Sequence, residues 1–250
     1  GRAEHKSPPH VLRGMEPQIA MASEEPPAKK AKASQGPVVD LSGKKALVTG
    51  ASKGIGLAIA QLFNRLGADV VICARGPEAL EAAKAGMVAP ERCHIVPCDL
   101  STKEGAEKLV KDVPFDTLDI LVNNCGTNIR RKAEDYTEEI VMEIMSTNFL
   151  SVSRCCLAFF KHLKGANGAA IVNISSIASS THIPSGFAYG ASKAAMDQLT
   201  RNLAVEWAEH NIRVNACGPG PIDTPLLRTG HPTYLKEFYD RVPMRRCGQP

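Results

Sequence analysis

Hydrophobic positions follow two different spacings along the chain from residue 45 onward. Six short runs rich in β-branched and other apolar residues predict buried strands, at residues 45–49, 69–74, 93–97, 118–123, 169–175 and 213–217. The longer segments between them carry apolar residues every three or four positions, which is the spacing of amphipathic helices. Strands that alternate with helices are typical of βαβ units and of parallel sheets. Because such crossovers are right-handed, we expect an α/β fold built as a single-domain, Rossmann-like, doubly wound parallel sheet.

Three of the intervening helices are well defined by the pattern. The first has an apolar stripe at residues 55, 59, 63 and 66 and should end before Gly67. A long helix should begin near Thr137, whose hydroxyl can cap it, and should end at Gly165. Another should run from about Phe187 to His210. In such a fold, ligands are expected beyond the carboxyl ends of the strands.

The first 37 residues differ from the rest of the chain. Their six prolines and scarce aliphatic periodicity predict a disordered leader over residues 1–37, followed by one domain over residues 38–250. The acidic residues of the leader and its lack of an apolar segment argue against a mitochondrial transit peptide and a secretory signal. The lysines at positions 29, 30 and 32 either resemble a minimal nuclear-import cluster or belong to a solvated tail.

Composition excludes several classes of protein. The net charge is +4, but residues 1–37 hold six Lys/Arg against four Asp/Glu and so carry half of the excess, which does not indicate nucleic-acid binding. No stretch approaches the roughly 18 apolar residues that a membrane span needs. The eight cysteines lack the CxxC or CxxH spacing of a zinc site or redox pair. We therefore expect free thiols, no metal site and a reducing, cytoplasmic location.

A glycine-rich turn follows directly after the first strand. Residues 49–56 read TGASKGIG, so that Gly50, Gly54 and Gly56 lie where the strand passes into a helix. Backbone without side chains and the N–H groups of a helix N-terminus suit the pyrophosphate of a dinucleotide. The alternative is a tight turn that uses glycine for its geometry alone.

The end of the second strand indicates which nicotinamide cofactor is bound. NAD-binding folds usually place an acidic side chain there, but residues 73–75 read CAR. Arg75 and Lys53 together offer two cations for a 2′-phosphate. NADP(H) is therefore favoured, although either cation alone would be typical of a solvated surface.

Tyr189 and Lys193 lie four residues apart on the last predicted helix and so share a face with its apolar residues. A lysine in that position should be half buried. Its charge would stabilise phenolate and lower the tyrosine pKa from about 10 towards neutrality, which would make the phenol a general acid/base. The alternative is a lysine whose ammonium extends past its apolar neighbours into solvent, beside a core tyrosine.

Three further polar residues stand in positions that need a reason. Asn148 falls in the apolar stripe of the long helix, where it could be a satisfied core amide, cause a kink or support a chain of waters. Ser175 and Ser176 end the fifth predicted strand, at the edge of the sheet where ligands bind.

These residues together resemble the short-chain dehydrogenase/reductase family over about residues 41–250. Four motifs carry the resemblance: TGxxxGxG at Thr49–Gly56, NNAG at Asn123–Gly126, YxxxK at Tyr189–Lys193, and PG at Pro219–Gly220. Within the family, residues 123–130 and 195–215 are most similar to tropinone reductase-like proteins. Ser176 stands thirteen residues before the motif tyrosine, as the family's catalytic serine does.

The resemblance implies an NADP(H)-dependent oxidoreductase that reduces a ketone or aldehyde to an alcohol. It implies that Tyr189 donates the proton, Ser176 binds the substrate carbonyl, Lys193 holds the nicotinamide ribose and Asn148 supports a water. The cofactor-binding residues expected from the motifs and the resemblance are Gly50, Ser52, Lys53, Gly54, Ile55, Gly56, Arg75, Asp99, Leu100, Asn124, Gly126, Tyr189, Lys193, Pro219, Gly220, Ile222 and Thr224. The small-molecule carbonyl or alcohol substrate would be the main partner, and a homodimer or homotetramer is implied by the family alone.

The sequence departs from the family pattern in two places. Cys125 replaces the alanine of NNAG, which adds a thiol of similar size. Family members continue past a segment like residues 243–250 with another helix and strand. Either the sequence is a fragment of a longer product, or the edge of the sheet and one subunit interface are incomplete. The alternative function is therefore a cofactor-binding regulatory or scaffold protein without turnover.

Overall fold

A computed structural model of the chain describes residues 39–182, 186–229, 240 and 242–250. The predicted leader at residues 1–37 lies outside the described residues, so that prediction stands as it was made from the sequence.

Within the described residues, six parallel strands form one sheet in the order β3-β2-β1-β4-β5-β6, which confirms the predicted doubly wound fold. The strands are β1 Lys45–Thr49, β2 Asp69–Ala74, β3 Cys93–Pro97, β4 Ile120–Asn123, β5 Ala170–Ile174 and β6 Arg213–Cys217. Two strands are shorter than predicted. β4 begins two residues later because the N–H of Leu118 bonds to the carbonyl of His162 rather than to a strand, and β5 is one residue shorter at each end.

Eight α-helices flank the sheet in the described part of the chain. They are α1 Gly54–Arg65, α2 Pro77–Ala85, α3 Lys103–Asp112, α4 Glu138–Met145, α5 Ser151–Ala158, α6 Phe160–Gly165, α7 Phe187–Glu206 and α8 Pro225–Arg228. The first helix ends before Gly67, as the pattern predicted.

The prediction of a single long helix from Thr137 to Gly165 is wrong in its middle. The Thr137 hydroxyl does accept the Ile140 N–H at the start. However, residues 146–150 form a π-helical segment and Phe159, with φ −90° and ψ 4°, separates α5 from α6. The last predicted helix is also shorter, because α7 ends at Glu206 and only a 3₁₀ turn continues to His210.

Alternating side chains of the strands build a core on each face of the sheet. Leu47 and Val71 point to the face covered by α3, α5 and α7, whereas Val48 and Val70 point to the face covered by α1 and α2. Burial on both faces is why the strands are continuous apolar runs. The chain order reverses between β1 and β4, and this switch point opens a crevice at the carboxyl ends of the strands.

The run from Glu138 to Ala158 is long and apolar enough to span a membrane by length and composition alone, with a mean hydropathy of 1.2. Its inward stripe, which includes Ile144, Asn148 and Val152, is fully buried in the domain. The core helix of a soluble protein meets the same criterion. This segment corrects the expectation from the sequence that no stretch is long and apolar enough; a single segment of this kind is nevertheless weak evidence of a membrane span.

Among the described residues, β6 forms one edge of the sheet. Four of its five residues are exposed, and Val214 alone is buried. The chain then turns across the carboxyl edge of the sheet, and Gly248 returns to pair with Ile222. The sheet of the described residues comprises these six strands.

Candidate functional site

A cleft of about 500 Å³ lies at the switch point, above the carboxyl ends of β1, β2 and β4. Eleven of the residues predicted to bind the cofactor line it: Gly50, Ser52, Lys53, Gly54, Ile55, Arg75, Asp99, Leu100, Asn124, Gly126 and Thr224. The sequence motifs thus come together on one continuous surface. Cys73, Cys98, Thr127 and Thr147 also line the cleft, and the sequence did not single them out as site residues.

Two glycines in the left-handed backbone conformation and the side-chain amide of Asn124 shape the glycine turn. Gly50 and Gly54 have φ values of +62° and +60°, which L side chains rarely adopt. The Asn124 carboxamide donates to the carbonyls of Thr49 and Gly50 at 3.0 and 3.1 Å. Gly56 does not line the cleft: a Cβ there would lie 2.4 Å from Asn124 Nδ2. Gly56 therefore permits close packing beneath the turn rather than contact with a ligand.

The N-terminus of α1 points at this cleft without a side-chain cap. Lys53 occupies the N-cap position, and its side chain makes no capping hydrogen bond. The first N–H groups of the helix and the positive end of its dipole suit a phosphate there.

Both cations predicted to select the cofactor are exposed and line the cleft, at Lys53 and Arg75. Burial raises the pKa of Asp99, but hydrogen bonds from Ser101 and the charge of Arg75 bring that pKa below its usual value. A carboxylate that contacts Ser101 in this way is already satisfied on one oxygen. The donor set of the cleft, with two cations and uncapped N–H groups, therefore fits a dinucleotide with an added phosphate.

A second cavity of about 150 Å³ opens beside the cleft and shares Ile55, Asn124, Gly126 and Thr224 with it. Its lining includes three predicted catalytic residues, Ser176, Tyr189 and Lys193, and the predicted cofactor residues Pro219, Gly220 and Ile222. Ligands that occupy the two cavities would therefore meet at the shared residues.

Lys193 is more deeply buried than the sequence predicted, with 4% of its surface exposed. Its Nζ donates to the carbonyl of Ile174 at 2.7 Å and lies 5.8 Å from the centroid of the Tyr189 ring. Burial lowers the pKa of Lys193 to about 8, although nearby Cys125 and Asp197 act to raise it. The lysine does not extend to solvent, so this alternative is wrong.

The two serines after β5 have different surroundings. Ser176 Oγ accepts the N–H of Ala178 at 3.1 Å, which leaves the hydroxyl proton of Ser176 available to a ligand. Ser175 Oγ donates instead to the carbonyl of Lys193 at 3.5 Å. The geometry therefore favours Ser176 for contact with a substrate.

Asn148 is fully buried in the π-helical segment, and its carboxamide is satisfied by protein groups. It accepts the N–H of Thr127 at 2.7 Å and donates to the carbonyl of Thr127 and to Ser192 Oγ, both at 3.0 Å. Ser192 in turn donates to the carbonyl of Tyr189. Asn148 thus joins the loop after β4 to helix α7, which carries Tyr189, and Ser192 is a link that sequence reasoning missed.

Gly126 lies close to the side chains of Asn148 and Lys193. A Cβ at this position would lie 3.4 Å from Asn148 Oδ1 and 3.7 Å from Lys193 Nζ. Cys125, which replaces the alanine of the family motif, is held through its N–H by the Thr49 hydroxyl. Burial raises its pKa to about 11, so the thiol is neutral near pH 7.

The loop after β6 closes the cavity on its far side. The carbonyl of Pro219 accepts the N–H of Ile177 at 3.1 Å, and Gly220 has open space around its Cα. Thr224 caps α8 through its hydroxyl. Backbone bonds between residues 221–223 and Gly248 hold the loop against the C-terminal residues.

Sequence reasoning also missed Asn128 and Arg130, which line the second cavity beside Ser176 and Tyr189. They belong to the irregular segment between β4 and α4, where no periodic pattern marks a position as inward. No cluster of three potential metal ligands occurs among the described residues, and all eight cysteines are free.

Comparisons with known proteins agree with this geometry. The family model described as short chain dehydrogenase matches residues 44–234. A tropinone reductase homolog of Arabidopsis thaliana is 40% identical over 220 residues, which cover 84% of this chain and 82% of the relative.

Two solved structures are similar over the same region. The Pseudomonas aeruginosa RhlG/NADP active-site complex has a TM-score of 0.79 at 37% identity and covers 85% of this chain and 87% of that one. The L-sorbose reductase of Gluconobacter frateurii, complexed with NADPH and L-sorbose, has a TM-score of 0.78 at 31% identity and covers 84% and 86%. The resemblance inferred from the motifs is confirmed: the chain belongs to the short-chain dehydrogenase/reductase family and is an NAD(P)-dependent oxidoreductase.

Proposed function

We propose that the protein is an NADP(H)-dependent carbonyl reductase that converts a ketone or an aldehyde to an alcohol, with Tyr189 as the proton donor. The observation that supports this most strongly is the buried ammonium of Lys193 beside the Tyr189 ring, in a cavity that also holds the Ser176 hydroxyl. Because this cavity shares residues with the cleft, a substrate there would face the reactive end of a dinucleotide.

The choice of NADP(H) is supported by charge. Lys53 and Arg75 line the part of the cleft that adjoins β2, where the guanidinium of Arg75 can form paired hydrogen bonds to phosphate oxygens. The glycine turn and the N-terminus of α1 would hold the pyrophosphate. Bound NADPH supplies the hydride. The RhlG complex contains NADP and the L-sorbose reductase complex contains NADPH, which supports the same cofactor for this chain.

The proton chemistry is assigned to three side chains. The Ser176 hydroxyl has its oxygen occupied by the Ala178 N–H, so its proton can be donated to the substrate carbonyl. That hydrogen bond stabilises negative charge as it develops on the carbonyl oxygen. Tyr189 then delivers a proton to the same oxygen. The fixed charge of Lys193 favours the phenolate that remains.

Two other sequence-based expectations stay predictions. A homodimer or homotetramer is expected from the family, and a cytoplasmic location from the free cysteines.

A panel of ketones and aldehydes with NADPH and with NADH tests the proposal. We expect at least one carbonyl compound to consume NADPH faster than NADH. Tyr189→Phe should abolish turnover and leave cofactor binding nearly unchanged, because the phenol is needed for the proton and not for the phosphates. Tight NADPH binding with no turnover on any compound would overturn the proposal and favour the alternative, a binding protein without catalysis.

A further inference from the structure

The segment after β4 forms one wall of the second cavity. Asn128 and Arg130 line the cavity, and Ile129 lies between them in the chain. Residues 124–132 belong to no helix or strand, so no regular ladder of hydrogen bonds holds them. The position of this wall relative to Tyr189 therefore depends on individual contacts of the segment.

Tyr136 makes one such contact from seven residues further along the chain. Its hydroxyl donates to the carbonyl of Ile129 at 2.9 Å. Burial raises the pKa of the Tyr136 phenol, although the backbone and the charge of Arg131 act to lower it. Because the pKa is above its usual value, the hydroxyl keeps its proton and remains a donor near neutral pH. Tyr136 thus holds the middle of the wall.

The same tyrosine packs against the start of α7, the helix that carries Tyr189. Its ring lies on Phe187, the first residue of α7, with ring centroids 4.7 Å apart. Gly186, directly before the helix, has a φ of +89°, and a Cβ there would overlap the Tyr136 hydroxyl and lie 2.9 Å from Cζ of the ring. The tyrosine therefore occupies space that the glycine leaves free, and it joins the wall to the helix.

Asn148 attaches the wall to α7 a second time. It bonds to both backbone groups of Thr127 and donates to Ser192 Oγ, and Ser192 belongs to α7. Thr127 and Ile129 are thus both held, on either side of Asn128. A wall that is fixed before the substrate arrives loses less conformational freedom on binding, and this strengthens binding.

We propose that Tyr136 is a positioning residue, which holds the wall formed by Asn128 and Arg130 in place against α7 and so determines how tightly a carbonyl substrate binds. Tyr136 is not among the described residues that line the cavity, and it acts through Ile129. The part of this inference that concerns the substrate rests on the proposed function. The attachment of the wall can be tested without turnover.

The first measurement is hydrogen exchange by mass spectrometry on chains saturated with NADP⁺. Tyr136→Phe keeps the ring and removes only the hydroxyl. The amides of residues 127–131 should exchange about 3- to 10-fold faster in this variant, which is the worth of one neutral hydrogen bond, and those of β1 should not change. Lys132→Gln is the matched control: it alters an exposed side chain of the same segment and should leave the exchange as in the wild-type chain.

The second measurement is steady-state kinetics with the panel of ketones and aldehydes. For each compound that the wild-type chain reduces, Tyr136→Phe should raise KM about 3- to 10-fold and change kcat less than about 2-fold. The affinity for NADPH should stay the same, because the cofactor cleft does not include the wall. A general loss of structure would instead lower kcat and weaken NADPH binding. Tyr136→Leu, which also removes the ring contact with Phe187, should raise KM further.

The two measurements separate the inference from the proposed function. Exchange that is unchanged in Tyr136→Phe would overturn the inference, and so would faster exchange with an unchanged KM. A fall in kcat as large as the rise in KM would also overturn it. A wild-type chain that reduces no compound would contradict the proposed function, and the exchange rates would still decide whether Tyr136 holds the wall.

Discussion

The buried ammonium of Lys193 gives a prediction about stability that is independent of catalysis. Burial lowers the pKa of this lysine from 10.5 to about 8. Below the lower value, the folded and unfolded chains both carry the charge, and the full cost of burying it is present. Between the two values, the unfolded chain keeps a proton that the folded chain has lost, so the free energy of unfolding rises with pH. This lowering of the Lys193 pKa changes the free energy of unfolding by about 3 kcal/mol in total.

The measurement uses Lys193→Met, which keeps an unbranched side chain one atom shorter and removes the titration. Both chains carry Tyr189→Phe, so that the tyrosine does not titrate in either, and Cys125 and Asp197 are common to both. From about pH 7.5 to about pH 9.5, the free energy of unfolding of the chain with lysine should rise by about 2 kcal/mol relative to that of the chain with methionine. Urea unfolding followed by the fluorescence of Trp207, the one tryptophan of the sequence, gives both values. A difference that stays constant over this interval would refute a charged, buried lysine.

Three further substitutions test the cleft and its support. Arg75→Asp should weaken NADPH binding by about 100-fold and NADH binding far less, measured by fluorescence titration; equal losses would show that Arg75 does not contact the 2′-phosphate. Gly56→Ala places a Cβ 2.4 Å from Asn124 Nδ2 and should destabilise the fold by about 1–3 kcal/mol. Gly76→Ala, the control, places its Cβ in open space and should leave the stability unchanged. Equal unfolding midpoints of the two variants would contradict the close packing around Gly56. Asn148→Ala leaves the Thr127 backbone unpaired and should lower the free energy of unfolding by about 3 kcal/mol, and a loss under about 1 kcal/mol in urea titration would contradict its role.

The central strands β1, β2 and β4 were predictable because burial on both faces makes them continuous apolar runs. Residues 70–73 of β2 are all fully buried, for example, and no exposed face interrupts the pattern. The sequence indicated a kink at Asn148 only as one of three possibilities. It could not decide between them, because the hydrogen-bond partners of Asn148, Thr127 and Ser192, are distant in sequence.

Some residues of the candidate site could likewise be predicted from the sequence, and others could not. Residues in motifs of fixed spacing, such as Tyr189 and Lys193, could be named because their separation alone puts them on one helix face. Asn128 and Arg130 could not, because an irregular segment has no period from which an inward direction follows. The pairing of Gly248 with Ile222 joins two loops and likewise depends on tertiary structure alone.

The central claim is that a hydride passes from NADPH to a substrate carbonyl within this site. NADPH deuterated at C4 of the nicotinamide, incubated with the protein and the carbonyl panel, tests it most directly when the products are analysed by mass spectrometry. We predict an alcohol with one deuterium on its carbinol carbon, and none in the sample with Tyr189→Phe. Deuterated NADPH that binds the protein but labels no alcohol from any compound would contradict the account.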